Sequence, residues 1–246
     1  MIKKQKEKVA IIDWDGTIRH GFTIVDWMEY LYKHKIVGSH HIYKLKSYFQ
    51  QYSDGDLSHD ELAEITGNLY AKALRGKSYE KIRMLAEKYI RIDKKKLFKE
   101  MVSLLENLKS INIKIVIISG APLEVLEQYA VILDFHKVYA LKIDRDESGI
   151  YTGKVEENPG ISVIKGKIIE GLRKQYIIIY GFGNSESDVP IFKSAKQPIL
   201  INIDSSSEHL IKYRHLHNLL IINPYSGNMI EKISEKIERR KGDGRA

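Results

Sequence analysis

Short apolar runs rich in β-branched residues recur along this chain of 246 residues and constrain its fold more than any other feature. The runs are uniformly apolar rather than alternating, which is typical of parallel strands that helices cover on both faces. Segments of helical period at 97–110, 122–133 and 163–174 separate most of them. This order predicts an α/β fold with a doubly wound, mostly parallel sheet and right-handed crossovers. We predict strands at 8–15, 113–119, 137–143, 176–182, 198–203 and 219–223.

The interval between the first two of these strands contains no apolar run of strand type. Amphipathic patterns predict a helical bundle there, inserted as a cap domain with its own core. Trp27 and the tyrosines of these segments are expected in that core rather than in a stacking platform for bases: Tyr30, Tyr32, Tyr43, Tyr48 and Tyr52. The predicted helices span 23–34, 39–52, 57–76 and 78–90, with Ser58 and Ser78 as N-caps. We predict a core domain of 1–18 and 95–246 and a cap domain of 19–94.

Two segments depart from the βα pattern. The sequence DESG at 146–149, followed by IYTGKV, predicts a hairpin beside the sheet. The last twelve residues, EKIERRKGDGRA, are polar and contain glycine, so we expect a frayed tail at 235–246.

Composition limits the partners and the compartment. A formal charge of +8 favours anionic partners, such as phosphate esters, nucleic acid or an acidic lipid surface, without choosing among them. The absence of cysteine excludes disulfides, thiolate metal sites and cysteine nucleophiles, and it suits a cytosolic protein. No apolar run approaches the roughly 20 residues that a membrane helix needs. We therefore expect a cytoplasmic protein without a membrane partner.

The strongest motif is Asp13-Trp14-Asp15-Gly16-Thr17, which directly follows an apolar strand. Doubly wound sheets bind ligands at this end of their strands. Two acids one residue apart need a cation or a proton shared with a ligand, because burying both as charges is costly. The alternative interpretation is an Asp-Gly turn that only ends the strand.

Three further polar segments follow predicted strands or begin helices. Ser119-Gly120 precedes a helical run and offers an anion site, although the serine alone is also a common helix cap. Lys165 and Lys167 open another helix; the apolar residues three, four and seven positions after Lys165 favour it over Lys167. The loop from Gly183 to Asp188 carries Asn184 and Asp188, whose oxygens suit Mg²⁺. We expect these strand ends to converge at one edge of the sheet.

In this order the four motifs resemble those of the haloacid dehalogenase (HAD) superfamily of phosphohydrolases, over nearly the whole chain. The helical insertion after the first motif, the stretch DESGIYTG and the segment KGKIIEGL resemble the phosphoserine-phosphatase-like branch, which has a helical cap. The resemblance implies a Rossmann-like core and an aspartyl-phosphate intermediate.

The resemblance also implies the role of each residue. Asp13 would be the nucleophile, and Asp15 the general acid and then base. Lys165, with Lys167 as the fallback, would offset charge on the phosphoryl group. The implied phosphate-binding residues are Gly16, Thr17, Ser119, Gly120 and Lys165. The implied cofactor is Mg²⁺, held by Asp13, the carbonyl of Asp15, Asn184 and Asp188.

The chain departs from its relatives at two positions. Asn184 stands where they usually carry aspartate, so we expect weaker Mg²⁺ binding. Phe22 lies near the position where phosphoserine phosphatases have a glutamate that holds the substrate amino group, so phosphoserine is not the first choice of substrate. Residues 19–96 contain 15 Lys or Arg against 10 Asp or Glu, so the cap is expected to hold a second anionic group, with Arg19, Arg75 and Arg83 as candidates. A solvated charged face explains the same charges.

The leading hypothesis is a Mg²⁺-dependent phosphatase that hydrolyses a small phosphorylated metabolite through an aspartyl-phosphate at Asp13. A phosphotransferase of the same fold is the near variant. A catalytically weak binding or regulatory protein is the rival that Asn184 suggests, and a basic nucleic-acid-binding module is the least favoured. The nine histidines lack a metal-ligand spacing, so we interpret them as surface or loop residues.

Overall fold

The computed structural model describes residues 6–202, 213, 215–216, 218–225, 231 and 233. Its described strands form one seven-stranded sheet in the order β4-β3-β2-β1-β5-β6-β7. All neighbours pair in parallel except β3 and β4, which form an antiparallel hairpin at the edge. The strands are β1 (Glu7–Ile12), β2 (Lys114–Pro122), β3 (Lys137–Arg145), β4 (Tyr151–Glu157), β5 (Tyr176–Gly183), β6 (Gln197–Ile201) and β7 (Leu220–Ile222). The predicted mostly parallel sheet and its hairpin are confirmed.

Eight α-helices accompany these strands in the described part of the chain. The helices of the predicted cap interval are α1 (Thr23–Lys33), α2 (Ser39–Ser53), α3 (His59–Leu74) and α4 (Tyr79–Asp93). Those that follow are α5 (Lys99–Ser110), α6 (Leu123–Leu133), α7 (Ser162–Gln175) and α8 (Val189–Ser194). The short α8, which begins with Val189-Pro190, is the helix that the sequence patterns did not predict.

The central strand β1 shows why its run is apolar throughout. Ala10 and Ile12 face the helices α5 and α6, whereas Val9 and Ile11 face α7 and α8. Successive side chains of a strand point to opposite faces, so a strand covered on both sides needs apolar residues at every position. The sheet is therefore doubly wound, as predicted.

The helices α1 to α4 pack on one another and on the core. Helix α3 contacts β4 and helix α4 contacts α6. The buried Trp27 of α1 and Tyr70 of α3 belong to the same apolar cluster as the face of the sheet covered by α5 and α6. The predicted helical cap is confirmed, but its apolar centre continues into the core instead of standing apart.

Some details of the predicted cap differ from the structure. Ser58 caps α3 in a reciprocal capping box with Glu61, as predicted, whereas the Ser78 side chain makes no capping hydrogen bond. Tyr32 and Tyr43 are 45% and 74% exposed, so their assignment to a cap core is wrong. Amphipathic period alone does not distinguish a buried tyrosine from one at the edge of the stripe.

The predicted frayed tail at 235–246 lies outside the described residues. Among the described residues, no helix has the length and apolar character required to cross a membrane.

Candidate active site

The end of β1 directs two carboxylates toward the same side of the sheet. Asp13 and Asp15 are separated by Trp14, which points the other way into the apolar cluster and is fully buried. The amide of Asp13 still donates to the carbonyl of Phe182 in β5 over 3.0 Å, so the first carboxylate is held by the strand pairing itself. Alternation along an extended chain therefore places both acids at one cavity, which they line.

Lys165 joins the first and fourth motifs. Its Nζ donates to Asp13 Oδ1 over 3.2 Å and to Asp188 Oδ1 over 2.6 Å, and all three side chains are buried. Helix α7 buries Lys165, Ile169 and Leu172 on one face, which is the spacing that favoured Lys165 in the sequence. Lys167 is exposed, so the structure gives no support to the fallback residue.

The charges of this group shift one another. Burial and the charge of Asp188 raise the pKa of Asp13, although Lys165 opposes the shift. Burial disfavours the charged form of Lys165, but Asp13 and Asp188 outweigh burial and raise its pKa. Burial also acts against Asp188, and Lys165 overrides it to lower the Asp188 pKa. One ammonium thus serves two carboxylates, which leaves excess negative charge around Asp13.

Asp188 differs from the role that the resemblance implied. Its Oδ1 accepts from Lys165, and its Oδ2 accepts from the amides of Asn184 and Ser185 at 3.0 Å each. It is fully buried and does not line the cavity. This geometry gives no support to Asp188 as a metal ligand, because its side chain holds Lys165 and two loop amides and does not line the cavity.

Asp15 is held by the first residue of α1. The amide of Thr23 donates to both Asp15 oxygens at 3.0 Å, and the Thr23 hydroxyl donates to Oδ1 over 2.5 Å. Trp14 Nε1 in turn donates to that hydroxyl over 3.0 Å. Burial raises the pKa of Asp15 to about 6, against the opposing effects of Arg19 and Thr23. A carboxyl with a pKa near neutrality is suited to exchange protons.

The end of β2 contributes Ser119 and Gly120 to the same cavity. The buried Ser119 Oγ accepts from the amide of Ala121 over 3.3 Å. A Cβ on Gly120 would stand 2.9 Å from the Cα of Gly160, so only glycine allows the two loops to approach this closely. Ser119, Gly120 and Gly160 thus line the same cavity as Lys165.

Asn184 also lines the cavity, and it covers two residues of the first motif. Gly16 has a φ of +74°, and a Cβ there would overlap Asn184 Nδ2. The Thr17 hydroxyl donates to Asn184 Oδ1 over 3.3 Å. Gly16 and Thr17 are buried and do not line the cavity. This placement gives no support to Gly16 and Thr17 as phosphate-binding residues, because both contact Asn184 instead.

The cap supplies the remaining wall of the cavity. Phe22 and Ile24 come from the start of α1, Phe49 and Tyr52 from α2, and His59, Leu62, Ala63 and Thr66 from α3. The sequence patterns single out Phe22 but predict Tyr52 in the cap core and His59 at the surface; both residues line the cavity instead. No signal in the sequence identified them, since the rotation of α2 and α3 depends on packing against the core.

The three cap arginines proposed to hold a second anion do not line the cavity. Arg19 is buried and bonds Asp93 and Asp26, Arg83 pairs with Glu80, and Arg75 packs along Gly153. The structure therefore gives no support to these arginines as the residues that hold a second anion.

A parallel sheet with a carboxylate pair, a buried lysine and a hydroxyl at its strand ends, beneath a helical cap, defines a class of capped α/β hydrolases. The family model described as haloacid dehalogenase-like hydrolase matches residues 10–193. The chain belongs to this family, as the order of its motifs predicted. No curated protein matches it in sequence.

Solved structures share the fold. A Bordetella pertussis protein of unknown function is 18% identical, with a TM-score of 0.71 over 90% of this chain and 100% of that one. Cytosolic 5′-nucleotidase IIIB bound to cytidine is 11% identical, with a TM-score of 0.69 over 98% and 88%. A phospho-aspartyl intermediate analogue of phosphoserine phosphatase is 19% identical, with a TM-score of 0.57 over 80% and 87%. These likenesses confirm the predicted fold.

Proposed function

We propose that this protein is a Mg²⁺-dependent phosphatase that hydrolyses a small phosphomonoester through an aspartyl-phosphate at Asp13. The single observation that carries the proposal is the buried contact of 3.2 Å between Lys165 Nζ and Asp13 Oδ1 at the floor of a capped cavity. Lys165 holds one oxygen of Asp13, which orients the carboxylate for attack. The solved aspartyl-phosphate analogue of a phosphoserine phosphatase with the same fold supports this choice.

In the first step, an Asp13 oxygen attacks phosphorus while the bond between phosphorus and the ester oxygen breaks. Asp15 gives its proton to the departing oxygen, so an alcohol leaves instead of an alkoxide. In the second step, Asp15 takes a proton from water, the water oxygen attacks phosphorus, and the bond to Asp13 breaks. Inorganic phosphate leaves and both carboxyls return to their starting states.

The phosphoryl oxygens need stabilisation during both steps. Ser119, Gly120 and Lys165 line the cavity together with Asp13, and we assign the Ser119 hydroxyl, the Gly120 amide and the Lys165 ammonium to the phosphoryl oxygens. Donors set in place before reaction lower the barrier because little reorganisation is required as charge moves. Lys165 thus serves both Asp13 and the transferred group, while Asp188 holds it in position.

The residues present fit Mg²⁺. Its ligands would be the Asp13 carboxylate, the main-chain carbonyl of Asp15 and the amide oxygen of Asn184. All three are oxygen donors, and Mg²⁺ binds few protein oxygens and keeps positions for water and phosphate. The raised pKa of Asp13 fits as well, because added positive charge would favour its ionised, nucleophilic form. When bound, the ion supplies charge that polarises the phosphoryl group.

Phosphate release from a panel of esters with Mg²⁺ tests the proposal, with 4-nitrophenyl phosphate, phosphoserine and a nucleoside monophosphate as substrates. Asp13→Asn is expected to lower kcat/KM about 10³-fold or more, because an amide cannot form the covalent intermediate. Asp134→Asn is the matched control and should retain activity. Asp134 is exposed, away from the cavity, with a φ of 51° that asparagine tolerates.

The other outcomes identify the rival functions. Transfer of the phosphoryl group to an added alcohol in place of water would identify a phosphotransferase. Silence across the panel, with a normally folded protein, contradicts the proposal and favours a binding or regulatory protein that retains the fold.

We also propose that residues 19–94 move as a cap over a core of 1–18 and 95–246, so that closure excludes water during the first step. Support comes from the boundary itself, where Arg19 bonds Asp93 through Nε at 2.9 Å and Nη2 at 2.6 Å. This ion pair joins the segment by which the chain enters the cap to the segment by which it returns to the core.

A further inference from the structure

We propose that the cap wall of the cavity selects phosphomonoesters whose leaving alcohol is uncharged and carries an aromatic ring. The inference rests on the proposed function and names its substrate class. It comes from three aromatic side chains that line the same cavity as Asp13 and Asp15: Phe22, Phe49 and Tyr52.

The three rings form one continuous surface. The Phe22 and Phe49 centroids are 4.8 Å apart with planes inclined by 57°, and Phe22 meets Tyr52 edge-on at 6.5 Å. Tyr52 continues the series to His59 at 6.2 Å. Aromatic rings prefer such tilted and edge-to-face contacts, so a planar ring entering here would find both faces and edges to contact. Phe22 remains 37% exposed, which leaves part of its ring for a ligand.

The charges of the cavity disfavour a leaving group that carries a charge of its own. Among the described residues that line it, the acids and lysine are Asp13, Asp15 and Lys165, which belong to the phosphate end. The cap contributes His59 as its titratable group other than tyrosine, and burial lowers the His59 pKa, which favours the neutral ring. An ammonium or a second anion on the leaving group would lose water here without gaining an ionic partner.

A matched set of alkyl esters tests the inference without changing the chemistry of the broken bond. The substrates are 2-phenylethyl phosphate, 2-cyclohexylethyl phosphate, phosphoethanolamine and phosphoserine. We expect kcat/KM for the phenylethyl ester to exceed that for phosphoethanolamine by about tenfold or more, since a charged group enters the apolar wall unpaired. The cyclohexyl ester should fall between them, because it is apolar but lacks the aromatic contacts.

Variants of the wall localise the preference. Phe22→Glu should reduce or reverse the ratio between phenylethyl and ethanolamine esters, because a carboxylate would pair with the ammonium. Phe49→Leu should lower kcat/KM for the phenylethyl ester several-fold, with little effect on phosphoethanolamine. Tyr43→Leu is the matched control. Tyr43 lies on α2 with Phe49, but it is 74% exposed and does not line the cavity. This substitution should leave the ratio between the phenylethyl and ethanolamine esters unchanged.

Two results would overturn the inference, and they differ from failure of the proposed function. Turnover of phosphoethanolamine or phosphoserine at or above the rate of the phenylethyl ester rejects an aromatic leaving group while leaving a phosphatase. Phe22→Glu and Phe49→Leu ratios equal to those of the unchanged protein reject the cap wall as its cause. If no ester is hydrolysed, the proposed function fails, and calorimetric binding of the same esters decides the inference separately.

Discussion

The Lys165 ammonium illustrates how a single buried charge is kept in this site. Removing a charge from water is expensive, and the cost is offset only when partners of opposite charge and good geometry are present. Asp188 makes the shorter of the two contacts, 2.6 Å against 3.2 Å for Asp13. Asp13 makes the longer contact with Lys165 and lines the cavity, which suits the role of nucleophile that we propose for it.

The amide at position 184 gives a test at the scale of one residue. Asn184→Asp should lower the half-saturating Mg²⁺ concentration several-fold, because a carboxylate binds the ion more tightly than an amide oxygen. Mg²⁺ titration of phosphate release, together with calorimetric Mg²⁺ titration, measures the change. An unchanged half-saturation value in both titrations would contradict a place for Asn184 in the metal site.

Asp188→Asn is the complementary substitution to Asn184→Asp, since it removes a carboxylate from the same loop. Because both Asp188 oxygens hold protein donors, this variant should lower kcat by releasing Lys165, with the half-saturating Mg²⁺ concentration nearly unchanged. A large rise in that concentration would restore Asp188 as a metal ligand.

At the scale of helices, the buried Asp93 joins α4, α6 and the connection after β1. It accepts hydrogen bonds from Arg19, from Tyr89 of its own helix α4 at 2.7 Å, and from Tyr129 of α6 at 2.9 Å. Arg19 also bonds Asp26 of α1 over 2.5 Å. Burial would raise the pKa of Asp93, but hydrogen bonding and charge from Arg19 lower it overall.

Asp93→Asn should destabilise the protein by about 3 kcal/mol at neutral pH, because the buried Arg19 keeps Asp26 but loses its bidentate partner. Chemical denaturation at several pH values measures the effect. Since the folded pKa of Asp93 lies below its usual value of 3.8, its contribution is present above that pH and is lost as pH falls through the folded value. The difference between the two proteins should therefore be constant near neutrality and shrink below about pH 4. A difference that grows on acidification would contradict the assignment.

At the scale of the molecule, cap and core share one apolar cluster and a buried polar network. Trp27 Nε1 in α1 donates to the Tyr70 hydroxyl in α3 over 2.8 Å, and Tyr70 donates to Glu124 in α6 over 3.0 Å. Tyr151 of β4 donates to the same carboxylate. Contacts of this kind couple the folding of one part to that of the other.

We therefore expect one cooperative unfolding transition for the whole chain. The fluorescence of the two tryptophans reports on different parts of the chain, since Trp14 follows the central strand and Trp27 lies in the cap. In Trp14→Phe and in Trp27→Phe, fluorescence and far-ultraviolet circular dichroism should give the same denaturant midpoint. Loss of the Trp27 signal at lower denaturant than the circular dichroism change would show that the cap unfolds on its own.

The sequence alone determined the sheet, the helical cap and the meeting of Asp13, Asp15, Ser119, Lys165 and Asn184, because strand alternation and helical spacing are local rules and parallel strands share one edge. The tertiary structure alone decided that Asp188 holds Lys165, that Arg19 is buried in ion pairs, and that Phe49 and Tyr52 enter the cavity while Tyr43 faces solvent. Local period defines an apolar stripe on a helix, but the rotation of that helix depends on contacts with residues far away in the chain. The cap wall of the cavity, which we propose contacts the leaving group, is positioned by such long-range contacts.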